Sequence, residues 1–347
     1  MMNNGITPEL ASAAQVLAAD MMCIKAGESV LISADTSTDM PAVEAVQNAC
    51  CSIGAKVATI VLAPRLPYQG ALADAYLPDH FKAAVRECDV WIDLCFPYLA
   101  GSKAFDSAMQ NQRTRYFLGA DIGAGGLARL LGKGRLDQLF ALSNAFGALV
   151  GEASGKECRI TNRLGTDVTF TLAEPDGFAL AKAEEPGGYF VPGTVVLIPE
   201  LESVRGVIKC ETVFHEYYTT MAEPLSLALN GKIQAVTGGG PERRVMERAL
   251  RRAGGGEFGY VVHFSCGLHP GARFTGKSFI EDQRITGYNA IGLGLPPWMP
   301  GGGENHPDAV MSLQSISIAD QHIVKDGTIV SPPALVDLAE EVNAALS

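Results

Sequence analysis

From Glu9 to Asp121 the chain alternates helical and strand-like segments so regularly that few folds accommodate it. "ELASAAQVLAADMMCIK" spaces its apolar residues as a helix does and leads into the short β run "ESVLISAD". "MPAVEAVQNACCSIG" is helical again and stops at a glycine before "AKVATIVLA". "PDHFKAAVREC", "DVWIDLCF", "KAFDSAMQNQ" and "RTRYFLGAD" then repeat the cycle. Strands separated by helices of this length form βαβ units and a parallel sheet covered on both faces. No G-x-G-x-x-G follows the first strand. The glycine-rich "ADIGAGGLARL" around Gly123 comes late and with the wrong spacing, which argues against a dinucleotide site.

The grammar changes near Gly151. "ECRITNRLGTDVTFTLA" reads as two β runs around a turn, and "TVVLIPELESVRGVIKCETVF" continues in that style. "SLALNGKIQAVTGG" places Asn230-Gly231 between alternating arms, a hairpin signal. "PERRVMERALRRAGGG" is a helix from Pro241 to its closing glycines, and "SISIADQHIVKDGTIVSP" is a hairpin around Asp326-Gly327. The expected architecture is an α/β N-terminal domain with a parallel sheet over residues 1–152, plus an α+β, hairpin-rich C-terminal domain over 153–347. A length of 347 residues, 47% of them hydrophobic, suits two domains with substantial cores.

A net charge of −11 argues against a nucleic acid or an anionic membrane as partner. The start "MMNNGITPELASAAQ" lacks the features of an export signal, and no apolar run is long enough to span a membrane. The eight cysteines show no C-x-x-C spacing and read as reduced thiols packed as small hydrophobes. A cytoplasmic enzyme is expected.

Candidate chemistry lies with six histidines. His80 is expected at a helix start, His322 on the exposed face of the last hairpin, His215 on a strand and His269 in a loop before a proline. His263, in "FGYVVHFSCGLHPG", differs: it sits where an apolar strand meets a loop, with few polar neighbours to satisfy its ring nitrogens. In "GGGENHPDAVMSLQSI", His306 and Asp308 stand two apart between a glycine run and an apolar strand. Two imidazoles and one carboxylate form the facial-triad set of Fe(II) oxygenases, which leaves three coordination positions open. The same set also suits zinc with an activated water, so ligand type leaves both open.

The segments "EFGYVVHFSCGLHPGARF" and "HPDAVMSLQSISIADQHIVKDGTIVSPP", together with "EEPG" at Glu184–Gly187, resemble the 2,5-dihydroxypyridine 5,6-dioxygenase family, itself related in fold to aminopeptidases of the aminopeptidase T type. The resemblance implies Fe(II) held by His263, His306 and Asp308, and opening of a hydroxylated N-heterocycle by dioxygen (2,5-dihydroxypyridine to N-formylmaleamate or a close analogue). It also implies a homo-oligomer. Arg273 is a candidate for pairing an anionic substrate oxygen, and Glu185 and His269 for orientation or proton transfer. Tyr98-Leu99 and Phe190 stand where the family has further pocket histidines, which puts the particular substrate in question. The alternative is a metal-dependent aminopeptidase or hydrolase. Asn289 stands where those relatives have a ligand histidine for a second metal, and an amide is a poor substitute.

Overall fold

The computed structural model describes residues 7–132, 136–174, 180–215, 217–296, 298–302 and 306–344. The chain forms two compact units: Met1–Leu136 with Leu180–Pro192, and Asp137–Ala179 with Gly193–Ser347. Helix Leu136–Glu152, expected in the first domain, therefore groups with the second unit from Asp137 onward. Residues 180–192 return to the first.

The first unit is built on a five-stranded parallel sheet in the order Lys56–Leu62, Ser29–Asp35, Val90–Asp93, Arg115–Leu118, Gly187–Phe190. Four of its strands fall where the alternating pattern puts them. Between the first two runs helix Met40–Ile53 carries a proline in its first turn and ends on Gly54 at φ 91°, a left-handed position that favours glycine. The fifth strand, paired with Arg115–Leu118, comes from "GGYF", too short and glycine-rich to announce itself as β. At the centre of the sheet the fully buried Asp93 carboxylate accepts hydrogen bonds from Ser33 Oγ at 2.8 Å, Tyr116 Oη at 2.7 Å, Leu99 N at 2.8 Å and Cys95 N at 3.1 Å. Burial pushes its pKa up, and the four donors supply what water would have supplied.

The second unit is antiparallel. Strand Arg205–Phe214 pairs with Tyr218–Asn230, which turns at Gly231 into Lys232–Gly238. Pairing continues through Tyr260–Gly267, Asn289–Gly294 and Asp308–Met311, and the last of these returns to Arg205–Phe214. The sheet thus curls until six strands close on themselves. Beyond this ring, Asp167–Thr171, Glu157–Thr161, Ser315–Ile318, Gln321–Lys325 and Thr328–Ile329 extend the sheet. The expected Asn230-Gly231 hairpin and the helix Glu242–Ala253 are present. The C-terminal β segment turns twice, at Ala319-Asp320 as well as at Asp326-Gly327, so it is a three-stranded meander where the sequence suggests one hairpin. Ala319 and Asp320 make the extra turn at φ 47° and 66°, left-handed positions that no glycine marks in the sequence.

All eight cysteines are free thiols, six of them buried, and burial pushes Cys210 and Cys266 up to about 12. Among the described residues no helix is long and apolar enough to cross a membrane. The second unit's core includes Phe264, whose ring stacks on Phe170 with centroids 4.6 Å apart and planes 6° apart. Both rings are at most 2% exposed. Phe264→Ala is expected to cost about 3–5 kcal/mol of stability, read as a lowered denaturant midpoint; a shift below about 1 kcal/mol would show that this stack is not central to the core.

Candidate metal centre

Directly opposed residues of an antiparallel sheet put their side chains on one face. Phe214, Asp308, Gly292 and His263 oppose one another across four successive strands, and Thr212, Val310, Ala290 and Ser265 form the next row on that face. The alternate residues Val213, Ala309, Ile291 and Phe264 point the other way, into the core. Strand 260–267 reaches this arrangement through a register shift between Val261 and His263. The extra residue, Val262, lets Val261 and Phe264 both face the core while His263 and Ser265 face the site.

His306 arrives from the segment leading into strand 308–311. Pro307 O accepts the Leu293 N–H at 2.9 Å, which holds this segment against strand 289–294. Residues two apart in extended chain share a face, so His306 and Asp308 both reach the row occupied by His263. His306 Nε2 lies 3.1 Å from His263 Nε2, and His263 Nε2 lies 3.9 Å from Asp308 Oδ1. One donor atom from each of the three falls within 4.8 Å of the others. Ser265 Oγ sits 3.1 Å from His263 Nδ1, so it engages one ring nitrogen and leaves Nε2 to face His306.

Burial sets the protonation states. It lowers His263 to about 4, and burial together with the neighbouring His263 lowers His306 to about 3. Both rings are therefore neutral at pH 7, with lone pairs available. Burial raises Asp308 well above the usual carboxylate range. Its side chain is 4% exposed and accepts no hydrogen bond among the described residues, in contrast to Asp93. A divalent ion would supply the missing countercharge. Two nitrogens each about 2.1 Å from one ion, at about a right angle, stand about 3 Å apart, which matches the observed pair. Donor type, the two neutral imidazoles and the spacing fit a transition metal. The His263 side chain is 24% exposed, so the centre opens to the surface on one side.

None of the other candidates is one of the three clustered donors. His269 is buried in its own turn, its Nδ1 accepting Gly271 N at 3.1 Å, and it is not one of the three clustered donors. Arg273 is exposed, with its backbone N donating to Glu281 Oε1 at 3.1 Å. Glu185 is exposed in the first unit, where its carbonyl accepts the Tyr189 hydroxyl at 2.6 Å. Phe190 ends the fifth parallel strand. Asn289 is fully buried on the core face, where its Nδ2 donates to Gln314 Oε1 at 2.7 Å, so it brings no donor to the trio. His80 and His322 are exposed, as expected. His215 is buried, with Nε2 3.0 Å from Glu242 Oε2. Sequence reasoning missed Ser265 and Gly292; the only signal for Ser265 was the two-residue spacing that puts it beside His263 on a strand. Of the glycine run before His306, Gly303 lies outside the described residues.

The sequence profile of the NicX family, 2,5-dihydroxypyridine 5,6-dioxygenase, matches residues 13–331. No curated protein matches at a significant level. Among solved structures, the 2,5-dihydroxypyridine dioxygenase of Pseudomonas putida KT2440 superimposes with a TM-score of 0.73 at 18% identity, over 93% of this chain and 97% of that one. Wild-type AmpT from Thermus thermophilus superimposes with a TM-score of 0.63 at 13% identity, over 93% and 99%. At such identities these likenesses concern the fold.

His306→Ala and Asp308→Ala are each expected to lower the affinity for Fe(II) at least about tenfold while the far-ultraviolet circular dichroism stays unchanged. Ser265→Ala, which keeps all three donors, is expected to weaken it by about 10–100-fold. Wild-type metal content in the Asp308 variant would remove the carboxylate from the ligand set.

Proposed function

The chain belongs to the 2,5-dihydroxypyridine 5,6-dioxygenase family, and on that premise we propose that it is a mononuclear, non-haem Fe(II) dioxygenase that opens the ring of a dihydroxypyridine-type N-heterocycle. The observation that carries this reading is the convergence of His263, His306 and Asp308 on one face of the curled sheet, with both imidazoles neutral. Bound Fe(II) would supply the electron transfer through which triplet dioxygen reacts with an electron-rich ring, and a facial set of three ligands leaves three positions for both.

The chain's own residues do the rest. His263 and His306 present neutral nitrogens, and Asp308, giving up its proton to a bound dication, would lower the net charge of the centre. Ser265 holds the His263 ring in orientation. Phe214 stands beside Asp308 in the same row and packs on Phe279 with centroids 5.5 Å apart, giving the centre a dry, aromatic flank suited to a planar ring. Thr212, Val310 and Ala290, all at most 2% exposed, keep water from the row beneath.

The test is anaerobic purification, metal analysis per chain, and oxygen-electrode traces with 2,5-dihydroxypyridine and its carboxylated analogues. Fe(II)-dependent uptake of one dioxygen per ring, lost with zinc in place of iron, is the expected result. Peptide hydrolysis under nitrogen by the zinc- or cobalt-loaded protein, without oxygen uptake on any pyridine, would replace this reading with the hydrolase.

A further inference from the structure

We propose that Gly292 is a positioning residue of the metal centre: its missing side chain is the space into which the His263 and His306 ring nitrogens close. The inference rests on the ligand role proposed above for those histidines. Gly292 lies between His263 and Asp308 in the cross-strand row, with its side-chain direction on the site face. A Cβ there would come 2.1 Å from His306 Nε2, 2.2 Å from His263 Nε2 and 2.5 Å from His263 Cδ2. Non-bonded carbon and nitrogen cannot approach so closely, so the two imidazoles and any side chain at 292 exclude each other.

The backbone gives no other reason for glycine. Gly292 is not in the left-handed region, unlike Gly294 two residues on at φ +123°, and its strand is paired on both sides. Glycine inside a strand ordinarily weakens it, since it adds chain entropy to the unfolded state and packs no side chain. Here the local loss is offset by the approach it permits. The atoms that a Cβ would meet are the tips of two rings rather than main chain. The rings can turn aside, and the strand then survives while the convergence does not. Both nitrogens stand almost equally near the absent Cβ, so one methyl group parts the pair from each other and from Asp308. The backbone of strand 289–294 meanwhile floors the centre on that side.

The experiment compares the wild type, Gly292→Ala and Gly147→Ala, the last at a helix position where a Cβ meets nothing within 4 Å. Each is loaded anaerobically with Fe(II), and separately with Co(II), then desalted and assayed for metal per chain and for the visible Co(II) ligand-field bands. Gly147→Ala should match the wild type. Gly292→Ala should lose at least about tenfold in affinity and lose or shift the Co(II) bands, while the metal-free protein melts as the wild type does. Unchanged metal affinity and an unchanged Co(II) spectrum in Gly292→Ala overturn the proposal alone. A wild type that takes up no metal removes the ligand assignment and the proposal with it. If Gly292→Ala melts far lower, the same change is made in a chain already carrying His263→Ala and His306→Ala. Relief of the defect there supports the clash, and its persistence assigns Gly292 a backbone role and overturns the proposal.

Discussion

One cross-strand row governs the second unit: Phe214, Asp308, Gly292 and His263 lie side by side because four antiparallel strands hold one register. A slip of one residue in any of them would turn its member of the row into the core and bring a hydrophobic residue out. The core thereby polices the site. Phe264, Ile291, Ala309 and Val213 can fill the interior only when their neighbours in sequence face the other way. Donor geometry is thus a by-product of hydrophobic packing, and the ligands need no strain of their own to stay together.

The contrast between two buried aspartates separates scaffold from site. Asp93 takes four hydrogen bonds from its own unit and is complete. Asp308 has none among the described residues, and the neutral His263 imidazole stands 3.9 Å from it. A buried carboxylate of the first kind organises a fold. One of the second kind carries a desolvation cost that a cation offsets.

Much of this was legible in the residues. Helix and strand periods placed four of the five parallel strands, Asn230-Gly231 marked its hairpin, and the H-x-D spacing with an isolated imidazole in an apolar strand pointed to the three residues that cluster. The unread features are those that local pattern does not encode. The bulge at Val262 is visible only once the partner strand is known, since Val261, Val262 and His263 read as plain β. The Ala319-Asp320 turn uses left-handed backbone without glycine. Gly292 looked like one of many glycines, because its reason lies in two histidines distant in sequence that meet above it. Long-range closure of the sheet through Arg205–Phe214 and Tyr218–Asn230 is a topological fact that no window of sequence contains.

The strand Gly187–Phe190 carries a consequence for how the molecule comes into being. The chain leaves the first unit at Leu136, builds part of the second, and comes back at Leu180 to lay down the outermost parallel strand. On the ribosome, the nascent first unit therefore waits with an open sheet edge along Arg115–Leu118 while more than forty further residues are synthesised. The two units are sewn together by the order of translation, so neither can be excised at a single point of the gene without leaving the first sheet one strand short.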